Sequence, residues 1–148
     1  MPDHATTDRT REWFVPNFGP AAFRSAVGLL FLPYTGMVLA YTVLGSVLAD
    51  TIYWDRVAAI VAIYVLALGI GAHALDALGS KAVRPWGSAF SPRRLRLLAF
   101  SSLAAAYALG VPYMVLYAPL LWPIALLEGF FVFAYNLEWF CGRFHTDG

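Results

Sequence analysis

His73 and Asp76 stand three residues apart in the run GIGAHALDALGSKAVRP, Gly69 to Pro85, and Lys81 and Arg84 follow them. Helical positions three apart share a face. A carboxylate such as Asp76 ligates a divalent cation or accepts a hydrogen bond, and Lys81 and Arg84 have the charge to neutralise phosphate oxygens. A second polar run, YNLEWFCGRFHTDG, carries Tyr135, Asn136, Glu138, Arg143, His145 and Asp147. Carboxylates and imidazoles drawn from the two runs would suffice for a Mg²⁺ or Zn²⁺ site. The competing reading is structural: helix caps, with basic side chains that snorkel to lipid phosphates. His145 and Asp147 are only two apart, a spacing that is not diagnostic.

The elements that position these groups follow from where charge is missing. Of 148 residues 60% are hydrophobic and 13% charged, and the net charge is +1. A soluble domain carries roughly 25% charged residues. This composition excludes disorder and a nucleic-acid binder driven by net charge, and it points to an integral membrane protein. The single Cys141 excludes a disulfide framework and any zinc site built from several cysteines.

Residues 25–49, 57–75 and 97–127 contain no Asp, Glu, Lys or Arg. A span needs about 20 apolar residues to cross about 30 Å of hydrocarbon. The third apolar region extends to Phe140 and has room for two spans, with Tyr117, Ala118 and Pro119 as the turn. The expected architecture is all-α: a single domain, residues 1–148, forming a four-helix transmembrane bundle with spans at 25–48, 54–78, 96–116 and 119–138. Small residues, Gly69, Gly71 and Ala72 in span two and Ala104, Ala105, Ala106, Ala108 and Gly110 in span three, are expected to thin the packing faces.

Lys81, Arg84, Arg93, Arg94 and Arg96 fall in the loop after span two, with no acidic residue among them. The positive-inside rule places that loop and both termini in the cytoplasm, and the plasma membrane is the expected location. Both polar runs then lie on one side. Glu128 stands apart, as the one charge deep within span four. An intramembrane carboxylate is a functional candidate by default, unless it reaches water beside Trp122.

The second span and its loop, with the polar end of span four, resemble the N-terminal part of the UbiA-type intramembrane prenyltransferases. That family's aspartate-rich motif falls on Ala72, His73, Asp76, Ser80, Lys81, Arg84 and Pro85. Asp76, Lys81, Arg84 and Pro85 match it, and Ala72, His73 and Ser80 depart from it. Tyr135 matches the family's tyrosine motif, but Trp139 stands where a basic residue is expected. The resemblance implies an isoprenyl diphosphate bound through Mg²⁺ on Asp76, with Lys81 and Arg84 on the diphosphate. His73, Tyr135, Asn136, Glu138, Arg143, His145 and Asp147 would be accessory. The family's second aspartate-rich motif has no counterpart within these 148 residues. A complete site would need a second copy of the chain or a C-terminal half.

Two functions from different classes follow. One is lipid-diphosphate binding or Mg²⁺-dependent prenyl transfer at a cytoplasmic polar mouth. The other is a small non-catalytic membrane subunit whose polar ends fix topology and touch partners. Beyond the bilayer, the expected partners are an isoprenyl diphosphate or further copies of the chain, with no nucleic acid.

Overall fold

Pro33 decides the shape of the first apolar stretch. Its nitrogen cannot donate to the Leu29 carbonyl one turn back, and its ring clashes with that carbonyl in an unbroken helix. The computed structural model, which describes residues 12–79 and 90–144, accordingly breaks this stretch into α1 (Ala21–Leu29) and α2 (Leu32–Ser46). The two are bent by 46°. Phe31 between them is left-handed, with φ 41°. The break frees carbonyl groups, and Thr35 Oγ1 donates to one of them, Leu30 O, at 2.7 Å. The segment before α1 is tied down by Arg24 Nε, which donates to Pro16 O at 2.9 Å. Where one unbroken span at 25–48 was expected, a bent pair stands.

The second apolar stretch is continuously helical from Trp54 to Gly79. It is α-helical at α3 (Trp54–Tyr64), π-helical over Val65–Ala72, and α-helical again at α4 (His73–Gly79). Such wide turns are rare and usually short. Here the π segment lies between two neighbours, and its glycines face both. A Cβ on Gly69 would lie 3.1 Å from Thr35 Cγ2 of α2, and one on Gly71 would lie 2.9 Å from the Leu103 side chain.

Ser91 caps α5 (Pro92–Tyr117), its Oγ accepting from the Arg94 N–H at 3.3 Å. Pro92 opens the helix, where its missing N–H costs nothing. Contacts of Tyr117 with Arg56, Gly110 with Ile63 and Leu103 with Gly71 set α5 antiparallel to Trp54–Gly79. At one end the Arg56 guanidinium sits 3.9 Å from the Tyr53 ring centroid and 4.0 Å from that of Tyr117, stapling the start of α3 to the end of α5.

Ala118, at φ −148° and ψ 58°, ends α5. A 3₁₀ turn at Pro119–Leu121 leads into α6 (Trp122–Asn136), and a tight turn at Trp139–Gly142 follows, with Phe140 and Cys141 left-handed at φ 56° and 61°. The core joins Leu29, Ala74, Leu75, Ala77, Leu95, Ala99 and Leu103. Of the alanines expected to thin span three, Ala106 is buried, whereas Ala104, Ala105 and Ala108 face outward. The contact stripe instead runs through Leu95, Ala99, Ser102, Leu103 and Ala106. Composition alone marked the right helix but not the face.

The described residues form helices and no strand. Among the described residues three helices are long and apolar enough to cross a membrane, and the bent α1–α2 pair makes up to four.

Candidate functional site: a polar junction and an aromatic groove

α4 is only seven residues long, yet it carries both His73 and Asp76. Both are half-buried. His73 Nδ1 lies 3.2 Å from Gly69 O, one turn back. A carbonyl only accepts, so Nδ1 carries the proton in this bond. Phe31 meets the His73 ring edge-on, with centroids 5.9 Å apart, and Phe14 packs on Phe31 at 5.5 Å. The left-handed Phe31 therefore holds an aromatic wall against the imidazole. Asp76 lies within electrostatic reach of His73, as a shared helix face requires.

Gly79, the last residue of α4, abuts the backbone of α6. A Cβ there would run into the Asn136 carbonyl oxygen, and it would lie 2.9 Å from Leu137 Cα. Only a glycine admits this approach, so it fixes the ends of the two helices together. The two polar runs meet at this point. Asn136 spends its side-chain amide on its own helix, Nδ2 donating to Val132 O at 2.7 Å. Tyr135 is exposed on α6, Glu138 is half-buried and left-handed at φ 49°, and Arg143 is exposed. Lys81, Arg84, His145 and Asp147 lie outside the described residues. Among the described residues no three His, Cys, Asp or Glu side chains gather as a metal-binding group.

A groove of about 350 Å³ runs between α5 and α6. Tyr107 and Met114 of α5 face Trp122, Ala125, Leu126, Gly129, Phe130 and Phe133 of α6, and Trp139 lies at its far end. Gly129 forms the floor, where the Tyr107 hydroxyl lies against it. Phe133 stacks on Trp139 with centroids 6.3 Å apart and on Phe100 at 6.1 Å. Such a cleft, apolar with aromatic walls, suits a hydrocarbon chain. The α6 residues that line it, Trp122 to Phe133, span roughly 16 Å of helix.

Sequence reasoning did not anticipate the groove, the π segment or the Phe31–His73 contact. The groove left one signal: Ala125 and Gly129, four apart, between tryptophans at either end of α6. No family model, curated protein or solved structure matches this chain.

Proposed function

We propose that the chain is a four-span bundle of the plasma membrane, both termini cytoplasmic, that binds an isoprenyl diphosphate. The observation that carries this reading is the continuity of two features. The aromatic groove ends at Trp139, three residues beyond Asn136, where Gly79 brings the two polar runs together. The hydrocarbon tail would lie in the groove between α5 and α6. Its head would reach the junction, where Asp76 would hold Mg²⁺ and Lys81 and Arg84 would neutralise the phosphates. A bare carboxylate repels a diphosphate, so Asp76 would act only through the cation. His73, bonded to Gly69 and walled by Phe31, would serve as a neighbour to Asp76 and not as a ligand.

Calorimetric titration of the purified protein with an isoprenyl diphosphate, with and without Mg²⁺, tests the reading. Mg²⁺-dependent binding is expected. Asp76→Asn should abolish the Mg²⁺ dependence, and Lys81→Ala or Arg84→Ala should weaken binding at saturating Mg²⁺. Gly129→Leu, which fills the groove on the face of α6 that Glu128 does not line, should weaken binding with or without the cation. Absence of Mg²⁺-dependent binding in a folded sample would overturn the proposal.

A second reading is favoured by a separate observation. Only 6% of the apolar stretch Pro119–Asn136 is buried, against 33% for Trp54–Gly79 and 22% for α5. A helix so little covered by its own chain is expected in a non-catalytic subunit that packs against other proteins in the membrane.

A further inference from the structure

Glu128 is the tenth of the 18 residues from Pro119 to Asn136, so it sits at the middle of the apolar helix. It is exposed, and among the described residues none hydrogen-bonds or ion-pairs with it. It also lies outside the groove lining. A carboxylate facing hydrocarbon at mid-span is costly unless a partner group meets it. Lipid tails offer it no donor.

Its neighbours are ordered. Leu121, Ile124, Glu128, Phe131 and Tyr135 follow one another at spacings of three, four, three and four. At 100° per residue they fall within roughly 60° of Glu128 and make one seam. This alternation is the heptad pattern by which two helices wind together, with a polar group at one inward position to fix the register. The apolar members are exposed, with Leu121 at 49%, Ile124 at 54% and Phe131 at 45% even though Phe144 touches it.

We propose that this seam is the interface with a second copy of the chain, and that facing Glu128 side chains hydrogen-bond to each other at its centre. In a parallel two-fold pair, each seam residue meets its own counterpart at the same depth. Lys or Arg at that position would repel itself. A carboxyl group is self-complementary, because its O–H donates while its carbonyl oxygen accepts. The copy has no cation to offer at this depth, since every Lys and Arg lies outside the stretches 25–49, 57–75 and 97–127. Glu128 of the copy is the group that can reach. This pairing is independent of lipid binding in the groove, which lies on the other side of α6.

Subunit counting by single-molecule photobleaching of the full chain in phosphatidylcholine vesicles tests it. Wild type and Glu128→Gln, whose amide both donates and accepts, should be dimers, and Glu128→Leu should be monomeric. Far-UV circular dichroism reports whether each variant is folded. Should Glu128→Leu fail to fold, single cysteines in a Cys141→Ser background decide with Glu128 intact. A bifunctional maleimide should crosslink Ile124→Cys and Phe131→Cys several-fold more than Leu126→Cys, although Leu126 is the most exposed of the three at 68%. A wild-type monomer, a dimer that survives Glu128→Leu, or crosslinking that follows exposure instead of the seam would each overturn the proposal.

Discussion

Val65–Gly79 and α6 are both strongly apolar, and they are used in opposite ways. The first belongs to a helix whose window has mean hydropathy 2.2 and is one-third buried; the second has mean hydropathy 1.3 and is almost bare. Hydropathy places both in a membrane but does not say which one is inside. Side-chain size separates them. Gly69, Gly71, Ala72, Ala74, Leu75 and Ala77 are buried, so two neighbouring helices approach the backbone itself. α6 offers Ile124, Leu126, Leu127, Phe130 and Phe131 to the outside and buries only Ala134. Where hydrocarbon surrounds a helix there is little hydrophobic gain from packing, and close approach decides which faces associate.

The sharpest way to break this contrast is at Gly79, where the two regions meet backbone to backbone. Gly79→Ala places a methyl group against the Asn136 carbonyl and Leu137 Cα, neither of which can rotate away. Overpacking costs typically about 1–3 kcal/mol and more where backbone must move. The expected loss is about 3 kcal/mol in a reversible denaturant titration in detergent micelles. A loss near zero would mean that α4 and α6 are not in register.

A smaller effect is expected at the opposite end. Arg56→Ala removes a guanidinium held between Tyr53 and Tyr117. The Arg56 Nε is buried without a hydrogen-bond partner among the described residues, so ring contact is what it gains there. Each cation–π contact is worth about 0.5–1 kcal/mol when exposed and more when desolvated. The variant should lose about 1–2 kcal/mol in the same titration, and Arg56→Lys should recover only part, because an ammonium cannot lie flat between two rings.

Gly71→Ala tests the packing between the π segment and α5. Its new methyl would meet Leu103, a flexible side chain, and the Leu66 carbonyl at 3.2 Å. The expected loss is about 1 kcal/mol. Gly71→Ala with Leu103→Val should lose less than the sum of the two single changes, because the smaller side chain makes room for the methyl.

How much of this was legible beforehand depends on the range of the cause. The apolar stretches depend on composition, and the chain-reversing role of Ala118–Pro119 depends on local backbone chemistry; both can be read from neighbouring residues. The pairing of His73 with Asp76 follows from their spacing. Pro33 was equally visible, but its consequence, a bend at Phe31 with an aromatic wall on His73, depends on what the freed carbonyl of Leu30 finds, and that is Thr35. The π segment depends on contacts from α2 and α5 that are distant in sequence. The alanines of span three show the same limit: Ala104 and Ala106 are alike in the sequence, and only the neighbour that each faces tells them apart. For the site, the residue types were legible, but the aromatic groove was not, since its walls come from two helices.

The smallest effect gives the contrast its control. Gly36 and Gly45 of α2 are glycines in an apolar helix just as Gly69 and Gly71 are, but a Cβ on either would meet nothing within 4 Å. If glycine were retained in these helices for backbone flexibility, Gly36→Ala and Gly45→Ala would harm the fold as Gly71→Ala does. If close approach is the reason at Gly71, the α2 variants should be neutral. They should even gain slightly, since Ala loses less backbone entropy than Gly in a helix. The expected result is a change within about 0.5 kcal/mol of zero or slightly favourable, set beside a clear loss for Gly71→Ala. Equal losses at Gly36 and Gly71 would remove side-chain size as the property that separates the buried region from the exposed one.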